Sequence, residues 1–202
     1  MKISNRNTSI LKYCVSLCLI IFSSSTLAIE SNIQKPEEPD AELRQLLKEA
    51  ITSSDSFKDR FDAEVWLLDM STRLEGKITD NQKRLELLRH IHYEASRVEL
   101  SPQIVLALIQ VESNFDKYAI STAGARGLMQ IMPFWLKEIG QINDNLFNIR
   151  TNLRMGCTIL RFYLDKEKGN ITRALARYNG SLGSYRYTTK VFSALDKRWT
   201  LR

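Results

Sequence analysis

The sequence is poor in the residues that build disulfide frameworks and metal centres. Only three cysteines and two histidines occur among 202 residues. His90 and His92 lie two positions apart on a predicted helix, so they point about 200° away from each other and cannot share a metal ion. Two of the cysteines fall in the apolar N-terminal segment, which leaves Cys157 without a partner for an internal disulfide. We therefore expect no metal and no other cofactor, and we expect Cys157 to be a small core residue.

Long apolar runs and stripes of positive charge are also missing. The formal net charge is +6, but Lys2, Arg6 and Lys12 supply three of those charges, and 26 basic against 23 acidic residues remain after residue 28. The apolar run at residues 13–22 is shorter than the ~20 residues that span a bilayer. No basic stripe interleaved with aromatic residues occurs. Neither a transmembrane anchor nor nucleic-acid binding is expected.

The first 28 residues have the three parts of a secretory signal peptide. A basic start is followed by the apolar run and then by small residues that end at Ala28. Neither Cys14 nor Cys18 is preceded by the small residue that lipoprotein processing would require. We expect residues 1–28 to be cleaved on export to the periplasm. A polar lead-in with a helical extension is expected at 29–79 and a main domain at 80–202.

Apolar residues recur at helical spacing over most of the remaining chain, whereas alternating strand patterns and internal repeats are missing. Four polar side chains are candidate N-caps, namely Asp80, Ser101, Asn148 and Asn170. Helices are predicted at residues 41–51, 57–74, 80–98, 102–114, 134–139, 149–168, 171–178 and 185–199. The predicted fold class is all-α, or nearly so, with at most a small hairpin near residues 116–127.

The predicted helix that starts at Pro102 is apolar on nearly every side and therefore belongs in a core. Glu112 lies at its end, with apolar residues one and two turns back on the same face. Desolvation and the negative end of the helix dipole both favour the protonated carboxyl and raise its pKa. A rise from ~4.3 to ~6 or above costs on the order of 2 to 3 kcal/mol and suits a general acid at neutral pH. The alternative is a structural glutamate paired with Lys117 or Arg126.

Several short motifs follow at spacings that match a known family. They are Glu112-Ser113, Ser121 nine positions after the glutamate, Gly127-Leu128-Met129-Gln130, Asn152 with Gly156, Arg177-Tyr178-Asn179, and Tyr187 with Lys190-Val191. Together they resemble the soluble lytic transglycosylases, lysozyme-like enzymes that cleave bacterial peptidoglycan. The resemblance covers about residues 80–195. It departs from the family at Arg177, where alanine is usual, and at residues 180–183, where Gly-Ser-Leu-Gly replaces the frequent Ala-Gly-Pro-Gly.

The resemblance implies a lysozyme-like catalytic domain with Glu112 as its single catalytic residue. In the family this glutamate first protonates the glycosidic oxygen and then, as a base, deprotonates the C6 hydroxyl of the same sugar. The hydroxyl attacks C1 and leaves a 1,6-anhydro-N-acetylmuramyl end. Ser121 would orient the N-acetyl group, and Tyr178 would lie within hydrogen-bond reach of Glu112. The substrate-binding residues that the resemblance implies are Ser113, Ser121, Gly127, Met129, Gln130, Tyr178, Asn179 and Tyr187.

The expected partner is a peptidoglycan glycan strand, and two other interpretations stay open. One is a hydrolytic, lysozyme-like muramidase on a similar fold. The other is a wall-binding or secretion-complex accessory protein that contacts a cell-envelope partner through residues 29–79.

Overall fold

The computed structural model describes residues 60–139 and 144–200, which fold into seven α-helices followed by one π-helical turn. The helices are α1 Arg60–Leu74, α2 Asn81–Arg97, α3 Pro102–Glu112, α4 Phe134–Ile139, α5 Ile149–Lys166, α6 Ile171–Tyr178 and α7 Arg186–Ala194, and the π-helical turn is Leu195–Trp199. This part of the chain contains no strand. Only isolated bridges join Arg126 to Ile120 and Ile131. The prediction of an all-α fold is confirmed.

The start of most helices was predicted correctly because short polar side chains cap them. Asp80, Asn148 and Asn170 each accept a hydrogen bond of 3.1 Å from the amide three residues later. Ser101 differs, because its hydroxyl bonds the side-chain oxygen of Gln103 at 2.7 Å and caps no amide.

Three predicted helices end at least two residues earlier than predicted, and one of them is α3, which ends at Glu112 and not at residue 114. Helix α5 stops at Lys166 because Lys168 and Gly169 adopt positive φ angles of 53° and 83°. The Gly169 amide then bonds the Leu164 carbonyl oxygen at 2.9 Å, which satisfies the helix end. The predicted helix at 185–199 is α-helical only as far as Ala194 and continues as the π-helical turn.

Helix α3 lies at the centre of the core, as its lack of a polar face predicts. All side chains from Ile104 to Ile109 are buried. The helix packs against α2, α7 and the π-helical turn, while α5 packs against α2 and α6. The Trp199 indole of the π-helical turn donates a 2.8 Å hydrogen bond to Gln110 of α3. The C-terminal end of α3 is therefore held from several sides.

A buried ionic cluster joins α2 to α5. The Glu94 carboxylate, only 2% exposed, accepts hydrogen bonds from Arg97 at 2.8 Å and from Arg154 at 2.9 Å. Arg97 also donates to the hydroxyl of Thr158 at 2.9 Å. A buried carboxylate is tolerated when its charge is paired and hydrogen-bonded in this way. Nearby on α5, Cys157 is fully buried and free, which confirms that it is a core residue.

Helix α1 packs against α2 and against the π-helical turn. The side chains of Trp66, Met70 and Leu74 are buried in the common core. Arg73 donates 2.8 Å hydrogen bonds to the carbonyls of Arg198 and Thr200, and Arg198 donates back to the Arg73 carbonyl at 2.7 Å. The helix predicted at 57–74 is thus confirmed from residue 60 onward. The domain boundary at residue 80 stays a prediction.

The predicted signal peptide at 1–28, the lead-in and the helix at 41–51 lie outside the described residues. Among the helices that are described, none is both long and apolar enough to cross a membrane.

Candidate active site

Glu112 is the last residue of α3, and the chain turns sharply after it. Asn114 and Phe115 take positive φ angles of 51° and 70°, a region that non-glycine residues rarely adopt. Packing holds this turn, because the buried Phe115 ring lies against the Trp199 ring with centroids 5.6 Å apart. Ser113 adds a further tie by donating to the Leu128 carbonyl at 2.8 Å. The end of α3 and the following loop therefore hold Glu112 in place.

A cavity of about 350 Å³ lies beside Glu112. Its walls come from the end of α3, the loop after α6 and the first turns of α7. The lining residues are Val111, Glu112, Asn179, Ser181, Ser184, Arg186, Tyr187 and Lys190. Glu112 is the one acid among them.

The Tyr187 hydroxyl donates a 2.5 Å hydrogen bond to Oε1 of Glu112. Burial raises the pKa of Glu112 to about 7, and this hydrogen bond from Tyr187 opposes the rise because it favours the charged carboxylate. Burial and the nearby negative charge of Glu112 also raise the pKa of Tyr187, so its phenol stays protonated. Oε2 of Glu112 has no hydrogen bond from the described residues, which leaves it available to a ligand. The predicted direction of the Glu112 pKa shift agrees with the structure.

The tyrosine that bonds Glu112 is Tyr187. Tyr178 is near enough for the negative charge of Glu112 to help raise its pKa, and its place within hydrogen-bond reach of the acid stays a prediction. The Tyr178 hydroxyl instead donates to the main-chain carbonyl of Met129 at 2.7 Å. A tyrosine proton can satisfy only one strong acceptor at a time. Tyr178 therefore links α6 to the loop that carries Met129, and Tyr187 of α7 contacts the acid.

The loop at residues 119–131 is held by its own polar side chains. The Ser121 hydroxyl accepts a 3.0 Å hydrogen bond from the Ala125 amide, which closes a turn. Gln130, at a positive φ of 51°, donates from its side-chain amide to the carbonyls of Gly127 at 2.9 Å and Ala119 at 3.1 Å. These hydrogen bonds do not use the hydroxyl proton of Ser121 or the side-chain oxygen of Gln130, which remain available to other hydrogen-bond partners.

Asn152 of α5 also holds this loop, through hydrogen bonds to the loop's main chain. Its buried side chain accepts from the Met129 amide at 2.8 Å and donates to the carbonyls of Arg126 and Leu146 at 2.9 Å. Gly127 passes directly over it at a φ of +77°, where a Cβ would lie 2.5 Å from the Leu146 carbonyl oxygen and would collide with the Asn152 amide. Only glycine fits this close approach.

Met129 is completely buried against Gly156 of α5. A Cβ at Gly156 would lie 2.8 Å from the Cβ of Met129 and would collide with its sulfur. The Asn152 and Gly156 positions that match the family helix are therefore contact points for the loop.

The structure divides the predicted site residues into two groups. Glu112, Asn179 and Tyr187 line the cavity. The others make the internal contacts described above, and their roles toward a substrate stay predictions: Ser113, Ser121, Gly127, Met129, Gln130 and Tyr178.

Sequence reasoning missed five cavity residues, namely Val111, Ser181, Ser184, Arg186 and Lys190. The spacing of Arg186 and Lys190 carries a usable signal, because residues four apart on a helix share a face and these two flank Tyr187. The two serines lie in and just after an irregular loop whose path no periodicity reveals.

Within residues 60–139 and 144–200, no three histidine, cysteine, aspartate or glutamate side chains lie close enough together to hold a metal ion. The chemistry available at the cavity is that of one protonatable acid, a phenol, hydroxyls and two cations.

Comparison with known proteins identifies relatives of this chain. A transglycosylase from Enterobacteria phage PRD1 is 31% identical over 99 residues, which is 49% of this chain and 36% of the relative. The membrane-bound lytic murein transglycosylase C of Histophilus somni is 34% identical over 113 residues, or 52% of this chain and 30% of the relative. The chain thus matches only about a third of the length of these relatives.

Among solved structures, the 70 kDa soluble lytic transglycosylase SLT70 of Escherichia coli matches 76% of this chain and 25% of its own, with a TM-score of 0.41 and 23% identity. The family model described as the transglycosylase SLT domain matches residues 89–199, which is more than half of the chain. The matched segment contains Glu112 and every residue that lines the cavity. The family recognised from the motifs is confirmed, and this chain belongs to the transglycosylase SLT domain family.

Proposed function

We propose that this protein is a peptidoglycan lytic transglycosylase. It would cleave the β-1,4 bond between N-acetylmuramic acid and N-acetylglucosamine without consuming water and leave 1,6-anhydro-N-acetylmuramyl ends. The observation that carries the proposal is Glu112 itself, a carboxyl with a pKa raised to about 7 in a cavity that has no other acidic lining residue. Family membership and the murein-cleaving relatives support the same substrate.

The pKa of Glu112 suits both halves of the reaction. Near neutral pH a group with a pKa of about 7 is present in both forms, so it can give a proton in one step and accept one in the next. Tyr187 holds Oε1, which leaves Oε2 directed to the substrate. Because its own phenol stays protonated, Tyr187 orients the carboxyl and is not the proton source.

The proposed reaction has two steps. Glu112 first transfers its proton to the glycosidic oxygen as the bond from that oxygen to C1 of the muramyl sugar breaks. The Glu112 carboxylate then takes the proton of the C6 hydroxyl, and the C6 oxygen forms a new bond to C1. Glu112 ends protonated, as it began, and no water enters the product.

The lone acid favours this route over hydrolysis. Most glycoside hydrolases place two carboxyl groups about 5 to 10 Å apart, one as acid and one as nucleophile or base. The cavity beside Glu112 supplies only one. The N-acetyl group of the substrate would stabilise the positive charge at C1, and the Ser121 hydroxyl would orient that group.

We further propose that Met129 and Gln130 shape the groove that binds the glycan strand beside Glu112. Asn179 would form part of the wall of this groove. An envelope location follows from the substrate, and the segment at 1–28 would provide export. A partner for residues 29–79 stays a prediction.

The test is digestion of purified peptidoglycan with the full chain and mass spectrometry of the products. Anhydro ends, which are lighter than reducing ends by one water, are expected from the wild type. Glu112→Gln, which keeps the hydrogen-bond acceptor for Tyr187 but cannot transfer a proton, should lose activity by at least about 10²-fold. Glu75→Gln, the same change at an exposed site in the turn that follows α1, should remain fully active.

Other outcomes would overturn the proposal in different ways. Products that carry only reducing ends would identify a hydrolytic muramidase. Full activity of Glu112→Gln would show that Glu112 is not the catalytic acid. Complete rescue by Glu112→Gln of cells that lack the protein would favour the accessory-protein interpretation.

A further inference from the structure

Two cations on one face of α7 line the cavity that contains Glu112. Arg186 and Lys190 are four residues apart, so their side chains lie above one another on the helix. Both are exposed, and within the described part of the chain no carboxylate pairs with either. Other arginines of the domain have such partners, for example Arg97 with Glu94 and Arg161 with Asp165. The two cavity cations are therefore open to an external ligand that carries negative charge.

These cations do not act as partners of Glu112. A nearby positive charge would lower the pKa of a carboxyl. The pKa of Glu112 is raised instead by burial, and the hydrogen bond from Tyr187 only opposes that rise. Near neutral pH the cavity therefore combines two positive charges with an acid that is only partly ionised. Its net charge favours an anionic group on the ligand.

Ser181 supplies a hydroxyl on the same wall. Its Oγ is shielded from water and has no hydrogen-bond partner among the described residues. A buried polar atom without a partner is unfavourable, so a ligand that bonds it after a side-chain rotation would recover that loss. This serine is also one of the residues by which the loop departs from the Ala-Gly-Pro-Gly that is frequent in the family, a sequence without a hydroxyl.

We infer that Arg186, Lys190 and Ser181 form a carboxylate-recognising subsite, which makes the enzyme selective for muramyl sugars that carry a free carboxylate. The inference rests on the proposed function, since it names the part of the peptidoglycan that this wall would contact. The sugar rings of peptidoglycan are neutral, and its negative charge comes from two sources. One is the lactyl carboxylate of a muramyl residue whose stem peptide has been removed, and the other is the set of carboxylates on an attached stem peptide. Arginine binds either through paired, charge-assisted hydrogen bonds.

The test measures equilibrium binding in the full chain carrying Glu112→Gln, so that the result does not depend on cleavage. Three probes are compared: glycan chains with free lactyl carboxylates, the same chains with those carboxylates converted to neutral methylamides, and chains with intact stem peptides. We expect one or both charged probes to bind roughly ten- to a hundredfold more tightly than the neutral probe. Preference for the first charged probe would identify the lactyl group, and preference for the second would identify the stem peptide.

Substitutions then test whether Arg186, Lys190 and Ser181 cause the preference for charged probes. Adding Arg186→Gln and Lys190→Gln together should bring the charged probes down to the affinity of the neutral one and leave the neutral probe unchanged. Adding Arg89→Gln and Lys77→Gln, an equal charge change at exposed positions away from the cavity, should leave the preference intact. Adding Ser181→Ala should weaken the preferred probe by about two- to tenfold.

Equal binding of all three probes would overturn the inference, as would a preference that survives the loss of both cations. Neither result would touch the proposed function, which depends on the anhydro products and on Glu112. Conversely, the protein could prefer charged probes and yet form no anhydro ends. That result would support the carboxylate subsite and refute the proposal that the protein is a transglycosylase.

Discussion

Replacing Glu112 with glutamine should make the protein more stable, but only at neutral and alkaline pH. The folded protein holds this carboxyl at a pKa of about 7, whereas an unburied glutamate titrates near 4.5. Between these values the folded state binds more protons than the unfolded state, so the free energy of unfolding falls as pH rises from 4.5 to 7. Glutamine has no proton to lose and escapes this penalty.

The size of the effect follows from the separation of the two pKa values. At about 1.4 kcal/mol per pH unit, the full shift corresponds to about 3 kcal/mol. One side of the carboxyl opens to the cavity, where water screens the charge, so we expect about 2 to 3 kcal/mol above pH 7. For a domain of this size the gain equals roughly 5 to 10 °C in melting temperature.

The assay is thermal unfolding, followed by circular dichroism, of the wild type, Glu112→Gln and the exposed control Glu75→Gln. At about pH 3, well below both pKa values, the wild type and Glu112→Gln should melt together, because the carboxyl is neutral in both the folded and unfolded states. At pH 8 Glu112→Gln should melt at the higher temperature, and Glu75→Gln should match the wild type at both values. If wild type and Glu112→Gln differed in melting temperature by the same amount at both pH values, the reasoning that burial raises the pKa of Glu112 would be refuted.

Two further predictions concern the acid and the loop beside it. Tyr187→Phe removes a hydrogen bond that favours the charged carboxylate, so the limb of the pH–activity profile that reports Glu112 should move to higher pH by about one unit. Tyr185→Phe, at an exposed neighbouring tyrosine outside the cavity lining, should leave the profile in place, and an unshifted profile in Tyr187→Phe would contradict the bond. Gly127→Ala and Gly124→Ala both place a side chain at a positive φ, but a Cβ collides with neighbours only at Gly127 and meets nothing within 4 Å at Gly124. Urea unfolding should therefore show about 1 to 2 kcal/mol lost at Gly124 from backbone strain and about 1 to 3 kcal/mol more at Gly127 from the collision; equal losses would argue against the tight contact with Asn152.

Local patterns predicted much of the helical framework. Caps such as Asp80, Asn148 and Asn170 act within three residues, so the sequence carries their whole mechanism. The run of apolar residues in α3 likewise predicted that this helix lies in the core and that Glu112, at its end, is desolvated. These features depend on neighbours along the chain and need no knowledge of the tertiary fold.

The pairing of distant residues was harder to predict. Tyr187 meets Glu112 across 75 positions of sequence, and Tyr178 meets Met129 across 49. Which tyrosine reaches the acid depends on how α6 and α7 pack, and a residue pattern does not contain that geometry. The positive φ of Phe115 and Gln130 was likewise hidden, since neither residue type favours it and only packing and loop hydrogen bonds hold it.

The hydrogen bonds between Arg73 and Arg198 mean that the unit of homology and the unit of folding do not coincide. The family match begins at residue 89, yet α1 ends before that point and still contributes Met70 and Leu74 to the interior. A fragment cut to the homologous segment would expose that apolar surface and leave the main-chain carbonyl of Arg198 without its donor, Arg73. Residues 60–88, which precede the segment that the family model matches, therefore contribute to the hydrophobic core of this protein.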